Sequence, residues 1–136
     1  MYDFTLELRS FESLSPQAKV RFLLAQLEAL IAANVGYLET GVRVPPLYKA
    51  GIRYTPDVPA NEKWKDIPQV LFTRAGNCKE FASWRVAELR YAGDALARCI
   101  VTITQLPQYT LFHITVRRGD GTIEDPSRAL GMPEPV

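Results

Sequence analysis

Val20, Leu23, Leu24, Leu27, Leu30 and Ile31 recur at three- and four-residue spacing, which gathers them on one face of a helix. Ser15-Pro16 stands at the head of this run. Serine is a favoured N-cap, and proline is tolerated in the first turn, where its missing N–H removes no bond. Asn34-Val35-Gly36 supplies the expected stop. The pattern predicts a first helix that packs firmly on a core.

After Gly36 the periodicity dissolves. From Tyr37 to Ala60 the chain passes Gly41, Pro45-Pro46, Gly51, Pro56 and Pro59, with a short strand expected around Ile52-Arg53-Tyr54. Irregular stretches this long in a compact domain are commonly functional. Residues 37–60 are therefore assigned to the wall of a substrate cleft. Tyr48, Tyr54 and Trp64 would supply its aromatic surface, or else serve as half-buried packing residues.

Ile67 to Thr73 predicts a short helix broken at Gly76, and a second clear helix runs from Cys78 to Tyr91 and ends at Gly93. Phe81, Ala82, Val86 and Leu89 share one of its faces, and Cys78 lies on that face one turn earlier. Leu96 to Thr104 then has the β-branched content and alternation of a strand. Leu106-Pro107-Gln108 turns the chain, Leu111 to Arg117 is a second strand, and Thr122 to Asp125 a third, ended by Pro126. Gly131 to Val136 reads as an extended, mobile tail. No internal repeat or low-complexity tract interrupts the chain, so residues 1–136 are expected to form one α+β domain.

Composition narrows the function without naming it. The 136 residues are 47% hydrophobic and 23% charged, ordinary for a soluble globular chain. Sixteen basic side chains against fifteen acidic ones leave a net charge of +1, so no global field draws the protein to nucleic acid or anionic lipid. No apolar run is expected to approach the length needed to cross a bilayer, and Met1-Tyr2-Asp3-Phe4 lacks the basic start and apolar block of a signal peptide. A cytoplasmic location is expected, without nucleic-acid or membrane partners. Cys78 and Cys99 are read as free thiols, since one pair in a domain of this size is no disulfide scaffold. Two cysteines and one histidine, with no CxxC or HxxxH spacing, make no recognisable metal set, and no cofactor is expected.

Chemistry concentrates where Gly76-Asn77 precedes Cys78 at a helix start. A helix N-terminus offers unbonded N–H groups and the positive end of the peptide dipoles, which favour thiolate over thiol. Nucleophilic cysteines need an imidazole in hydrogen-bond reach and a third group to orient it. His113 is the chain's single histidine, and Asp125 lies on the strand expected to pair with its own. Taken singly, each has a plainer role: a structural cysteine, a partly exposed histidine, an aspartate opening a turn. Cys99, set among apolar strand residues, is read as inert core.

Parity makes the combination testable. Side chains alternate across a sheet, so His113 and Asp125 share a face only if an odd number of residues forms the turn. A two-residue Asp120-Gly121 turn would send them to opposite faces. A three-residue turn, Gly119 to Gly121, with Gly121 left-handed, puts Asp125 opposite Thr115 and diagonally next to His113. The three-residue turn is predicted. The same alternation sets His113 and Thr115 against Phe112, Ile114 and Val116, so the cysteine helix is expected near one face and the first helix over the other.

Gly76-Asn77-Cys78-Lys79-Glu80-Phe81-Ala82, a helix ending in Ala92-Gly93-Asp94, a strand histidine, and Glu124-Asp125-Pro126-Ser127 together resemble the transglutaminase-like cysteine enzymes. That superfamily typically carries a Gly-Asp-Cys-type box opening a helix, a histidine on a following strand, and Asp-Pro-Thr or Asp-Pro-Ser on the next. The ending Asp125 to Met132 is especially similar to compact versions encoded by bacteriophages and prophages. The resemblance covers Trp64 to Met132, about half the chain. Asn77 and Lys79 depart from the acidic residues often found beside the family's cysteine, which leaves the triad intact and the substrate open.

The resemblance implies a papain/transglutaminase-like core, the cysteine helix packed on a small antiparallel sheet, with an additional N-terminal helix. It implies a Cys78, His113, Asp125 triad acting on a peptide or protein acyl substrate through a thioacyl intermediate. The Cys78 N–H would be the first oxyanion donor, with Trp64, Gln69 and Asn77 as candidates for the second and Gln69 favoured. Hydrolysis as a peptidase or amidase leads, and capture of the acyl group by an amine is the transferase alternative. A different class of answer is a phage structural or assembly component, virion-associated, that keeps the fold for binding other phage proteins.

Overall fold

The computed structural model describes residues 6–56, 63–108 and 110–134. The first five residues, residues 57–60 of the expected cleft wall, and residues 135 and 136 of the expected tail lie outside them. The architecture is α+β, with helices gathered around small sheets.

Helix α1 (Pro16–Glu39) opens as its sequence dictates: the Ser15 side chain accepts a hydrogen bond from the Ala18 N–H and Pro16 occupies the first turn. It does not stop at Gly36. A helical glycine costs about 1 kcal/mol relative to alanine, and burial on either side outweighs that. Asn34 and Leu38 are buried, and the Asn34 Oδ1 accepts the Ile67 N–H at 3.0 Å. By length and composition alone α1 is apolar enough to cross a bilayer, contrary to the reading of the sequence. Here its Leu27 and Ile31 belong instead to the core cluster, each worth roughly 1.5–3 kcal/mol on burial.

The proline-rich stretch contains a single turn of 3-10 helix over Leu47–Lys49 and strand β1 (Arg53–Tyr54). Helix α2 (Ile67–Thr73) follows, capped by the Asp66 side chain, then strand β2 (Ala75–Gly76). β1 and β2 pair in parallel, Arg53 with Ala75 and Tyr54 with Gly76, a pairing the local pattern does not announce. The Tyr54 N–H also reaches the Leu130 carbonyl at 2.9 Å. This ribbon thus ties the end of the chain to the entry of the cysteine helix.

Helix α3 (Cys78–Tyr91) is the centre of the molecule, with Phe81, Ala82, Trp84, Val86 and Ala87 all buried. Strands β3 (Arg98–Gln105), β4 (Thr110–Arg117) and β5 (Ile123–Glu124) form an antiparallel sheet in that order. Cys99 faces Val116 across β3 and β4, and Val116 faces Glu124 across β4 and β5. These residues and Ile114 therefore share one face.

Both large helices lie on that face, which corrects the expectation that they would cover opposite sides. Arg85 of α3 bonds Glu124, while Glu28 of α1 is bonded to Arg90 of α3, which also donates to the Ala97 carbonyl immediately before β3. The other face mixes Arg98, Thr102, His113 and Thr115 with Ile100, Leu111 and Ile123, and Leu111 and Ile123 stay exposed there.

After β5 the chain forms a short fourth helix, α4 (Pro126–Ala129), started by proline with Asp125 as its N-cap. The described part of the segment after it is bonded back to α4. The Met132 N–H donates to the Ser127 carbonyl at 2.8 Å, and Arg128 pairs with Glu134 at 3.3 Å.

Candidate active site

The approach to Cys78 is built from close packing. A Cβ on Gly76 would stand 2.7 Å from the Phe81 ring and 3.2 Å from the Glu80 carboxylate, so glycine is the residue that fits. Asn77 caps α3 through its Oδ1, which accepts the Lys79 N–H at 3.1 Å, while Glu80 reaches back to accept the Asn77 N–H at 3.1 Å. This reciprocal capping box satisfies donors that a helix start otherwise leaves open. The other Glu80 oxygen accepts the Lys65 N–H at 2.8 Å. Burial raises the Glu80 carboxyl, against the opposing pull of Lys65 and Asn77.

Cys78 is the first residue of α3, half-buried and packed against the core, and it forms no disulfide. His113 and Asp125 are brought into direct contact, Nε2 to Oδ2 at 2.8 Å. The turn between them is the predicted one. Arg118 and Thr122 flank three loop residues, the Gly121 N–H donates to the Arg118 carbonyl at 2.9 Å, and Gly121 has a φ of +94°. The pairing of Val116 with Glu124 then sets Thr115 against Asp125, one step diagonally from His113.

Asp125 is itself held. Its Oδ1 accepts the Arg128 N–H at 3.3 Å, and the Arg128 guanidinium lies 3.6 Å from Oδ2. A carboxylate in this position can accept the hydrogen bond of Nε2–H, and a ring bonded in that way presents its lone pair at Nδ1. α4, which starts at this aspartate, packs on α3 as well as on β4. The His113–Asp125 pair lies on the sheet face opposite Ile114 and Val116, and α4 links its aspartate to the cysteine helix.

The remaining candidates separate. Gln69 is exposed on α2, where its backbone N–H bonds the Asp66 cap. Asn77 is engaged in the capping box, its Oδ1 accepting the Lys79 N–H and its own N–H donating to Glu80. Trp64 is half-buried beneath Lys79, whose Nζ lies 5.2 Å from the ring centre. Tyr54 packs edge-on against Phe81 at 6.5 Å. Tyr48 lies elsewhere in the fold's bonding: its hydroxyl donates to Glu124 at 2.6 Å and its ring sits under Arg85. A cavity of about 270 Å³ bordered by Leu38, Val42, Pro46, Glu88 and Tyr91 includes none of the three triad candidates.

The sequence reading missed an ionic cluster beside Asp125. Glu124 accepts from Tyr48, from Arg85 at 2.8 and 3.2 Å, and from Arg118. Burial pushes the Glu124 carboxyl up, but Arg85, Tyr48 and Arg118 together overcome it and hold the group at about 2. Arg85 also reaches Glu88 at 3.3 Å, whose other oxygen accepts the Leu47 N–H at 2.9 Å. Nothing local marks a partnership between residues 85 and 124. The Asn-x-x-Glu spacing of Asn77 and Glu80, by contrast, is a readable capping signature.

No metal-binding group of three or more His, Cys, Asp or Glu side chains occurs among the described residues. No family model, curated protein or solved structure matches the chain.

Proposed function

We propose that this protein is a cysteine-dependent acyl hydrolase, a peptidase or amidase built on a papain/transglutaminase-like core. The observation that carries the reading is the 2.8 Å contact between His113 Nε2 and Asp125 Oδ2, on a strand pair joined by contacts to the helix that Cys78 opens.

The Cys78 sulfur, deprotonated through His113 Nδ1, attacks the acyl carbonyl carbon of a peptide or isopeptide bond. The carbonyl electrons move to oxygen, and the Cys78 N–H stabilises that oxyanion. Collapse expels the amine, which takes its proton from the imidazolium, and leaves a thioester on Cys78. Water, deprotonated by the neutral ring, attacks the thioester, and the acid is released with the thiol restored. Asp125 holds the ring's tautomer and balances its charge while it carries the extra proton.

The test is a broad panel of peptide, amide and activated acyl donors with intact-mass detection of a Cys78 adduct. An acyl adduct is expected on the native protein and none on Cys78→Ala. His113→Gln should slow its formation by roughly 10²-fold or more, the range general base catalysis supplies. Absence of any adduct, with Cys78 alkylating equally fast in native protein and His113→Gln, would overturn the proposal.

A further inference from the structure

Two coincidences of position surround the Arg85–Glu124 ion pair. Arg85 lies seven positions after Cys78 on α3, two turns along the same helical face. Glu124 immediately precedes Asp125, the last residue before proline ends the strand. The pair therefore bridges the element that carries the sulfur and the element that carries the acid.

β5 needs such a bridge. It is two residues long and pairs with β4 only through Glu124 and Ile123, and Pro126 has no N–H with which to extend the ladder. So short a strand is weakly restrained by backbone bonds alone. Glu124 compensates with a carboxylate engaged from three directions: Arg85 on α3, Arg118 at the end of β4, and Tyr48 in the 3-10 turn. The Arg85 contact is bidentate, with Nε at 2.8 Å on one oxygen and Nη2 at 3.2 Å on the other. A planar fork on a planar carboxylate restrains rotation as well as distance. Arg85 is in turn braced by Glu88.

We propose that Arg85 and Glu124 are positioning residues that set the spacing and roll of the cysteine helix relative to the His113–Asp125 pair. Neither touches the reacting atoms. Their role rests on the thiol chemistry proposed above, because without it there is no alignment to keep. Tyr48, expected from the sequence to line a cleft, belongs to the same clamp and couples the proline-rich segment to it.

The experiment follows the rate of Cys78 alkylation by iodoacetamide against pH in the native protein, His113→Gln and Glu124→Gln, with urea denaturation of each as a control for folding. In Glu124→Gln, while folded, Cys78 alkylation at neutral pH should fall about tenfold, and its profile should move towards that of an ordinary thiol near pH 8.5. Tyr48→Phe, which keeps both guanidinium contacts, should shift the profile in the same direction by less. If Glu124→Gln does not fold, Arg85→Lys, which keeps the charge and loses the fork, replaces it with the same expected and overturning results. A His113-dependent native profile that these variants leave unmoved would overturn the clamp and spare the thiol chemistry. Identical profiles for native protein and His113→Gln would overturn both.

Discussion

His113 and Asp125 meet at 2.8 Å because three residues, and not two, turn the chain between their strands. The turn needs a left-handed residue, and Gly121, with a φ of +94°, provides it. Asp120 adds a local bond, its Oδ1 accepting the Thr122 N–H at 2.8 Å. Deleting Asp120 shortens the loop by one residue and reverses the face on which Asp125 emerges. The expected result is loss of His113-dependent reactivity at Cys78 in a protein that still unfolds cooperatively. Gly121→Ala keeps the register and should cost about 1–2 kcal/mol of stability in urea denaturation, the usual penalty for a side chain in left-handed backbone.

Gly76 tests the packing at the entrance to the cysteine helix. Its α-carbon faces the Phe81 ring so closely that an added methyl would stand 2.7 Å away, and that ring is itself packed against Tyr54. Phe81 is fully buried and has little room to yield. Gly76→Ala should therefore lower stability by about 1–3 kcal/mol, as overpacking does. A melting temperature equal to that of the native protein would contradict this account of the Gly-Asn-Cys segment.

The ionic cluster predicts a pH dependence whose sign can be worked out. Glu124 is lowered from 4.5 to about 2 in the folded protein. Its contribution to stability is therefore present above pH 4.5 and is lost as pH falls towards 2. Glu80 and Glu88 run the other way. Burial raises both, so each favours the fold most below 4.5 and that contribution is lost as pH rises through its folded value. Urea denaturation between pH 6 and pH 2 should show a shallower acid loss in Glu124→Gln than in the native protein, and equal slopes would refute the assignment.

The two cysteines should differ sharply as reagents. Burial, with a smaller push from Glu28, raises the Cys99 thiol to about 12, so its thiolate is scarce at neutral pH and shielded from solvent. Cys78 is half-buried at a helix start. Mass spectrometry after brief iodoacetamide treatment of the native protein should find modification at Cys78 first, with Cys99 reacting only on unfolding. Equal labelling of both residues would contradict the burial of Cys99.

Local chemistry determined much of this protein directly from its sequence. Ser15-Pro16 started α1, Ile67 to Thr73 and Cys78 to Tyr91 formed the predicted helices, and Gly119-Asp120-Gly121 made the predicted turn. Caps, periodicity and glycine conformation act within a few residues and can be read without knowing what lies across the core. The His113–Asp125 contact was legible for the same reason, since strand parity carries it through one short turn. Tertiary structure alone decided the rest. It carried α1 past Gly36 because Asn34 and Leu38 find buried partners. It placed α1 and α3 on one face of the sheet, paired β1 with β2, and joined Arg85 to Glu124. Each of these depends on groups far apart in the chain, whose burial and charge compensation exist only once the core has brought them together.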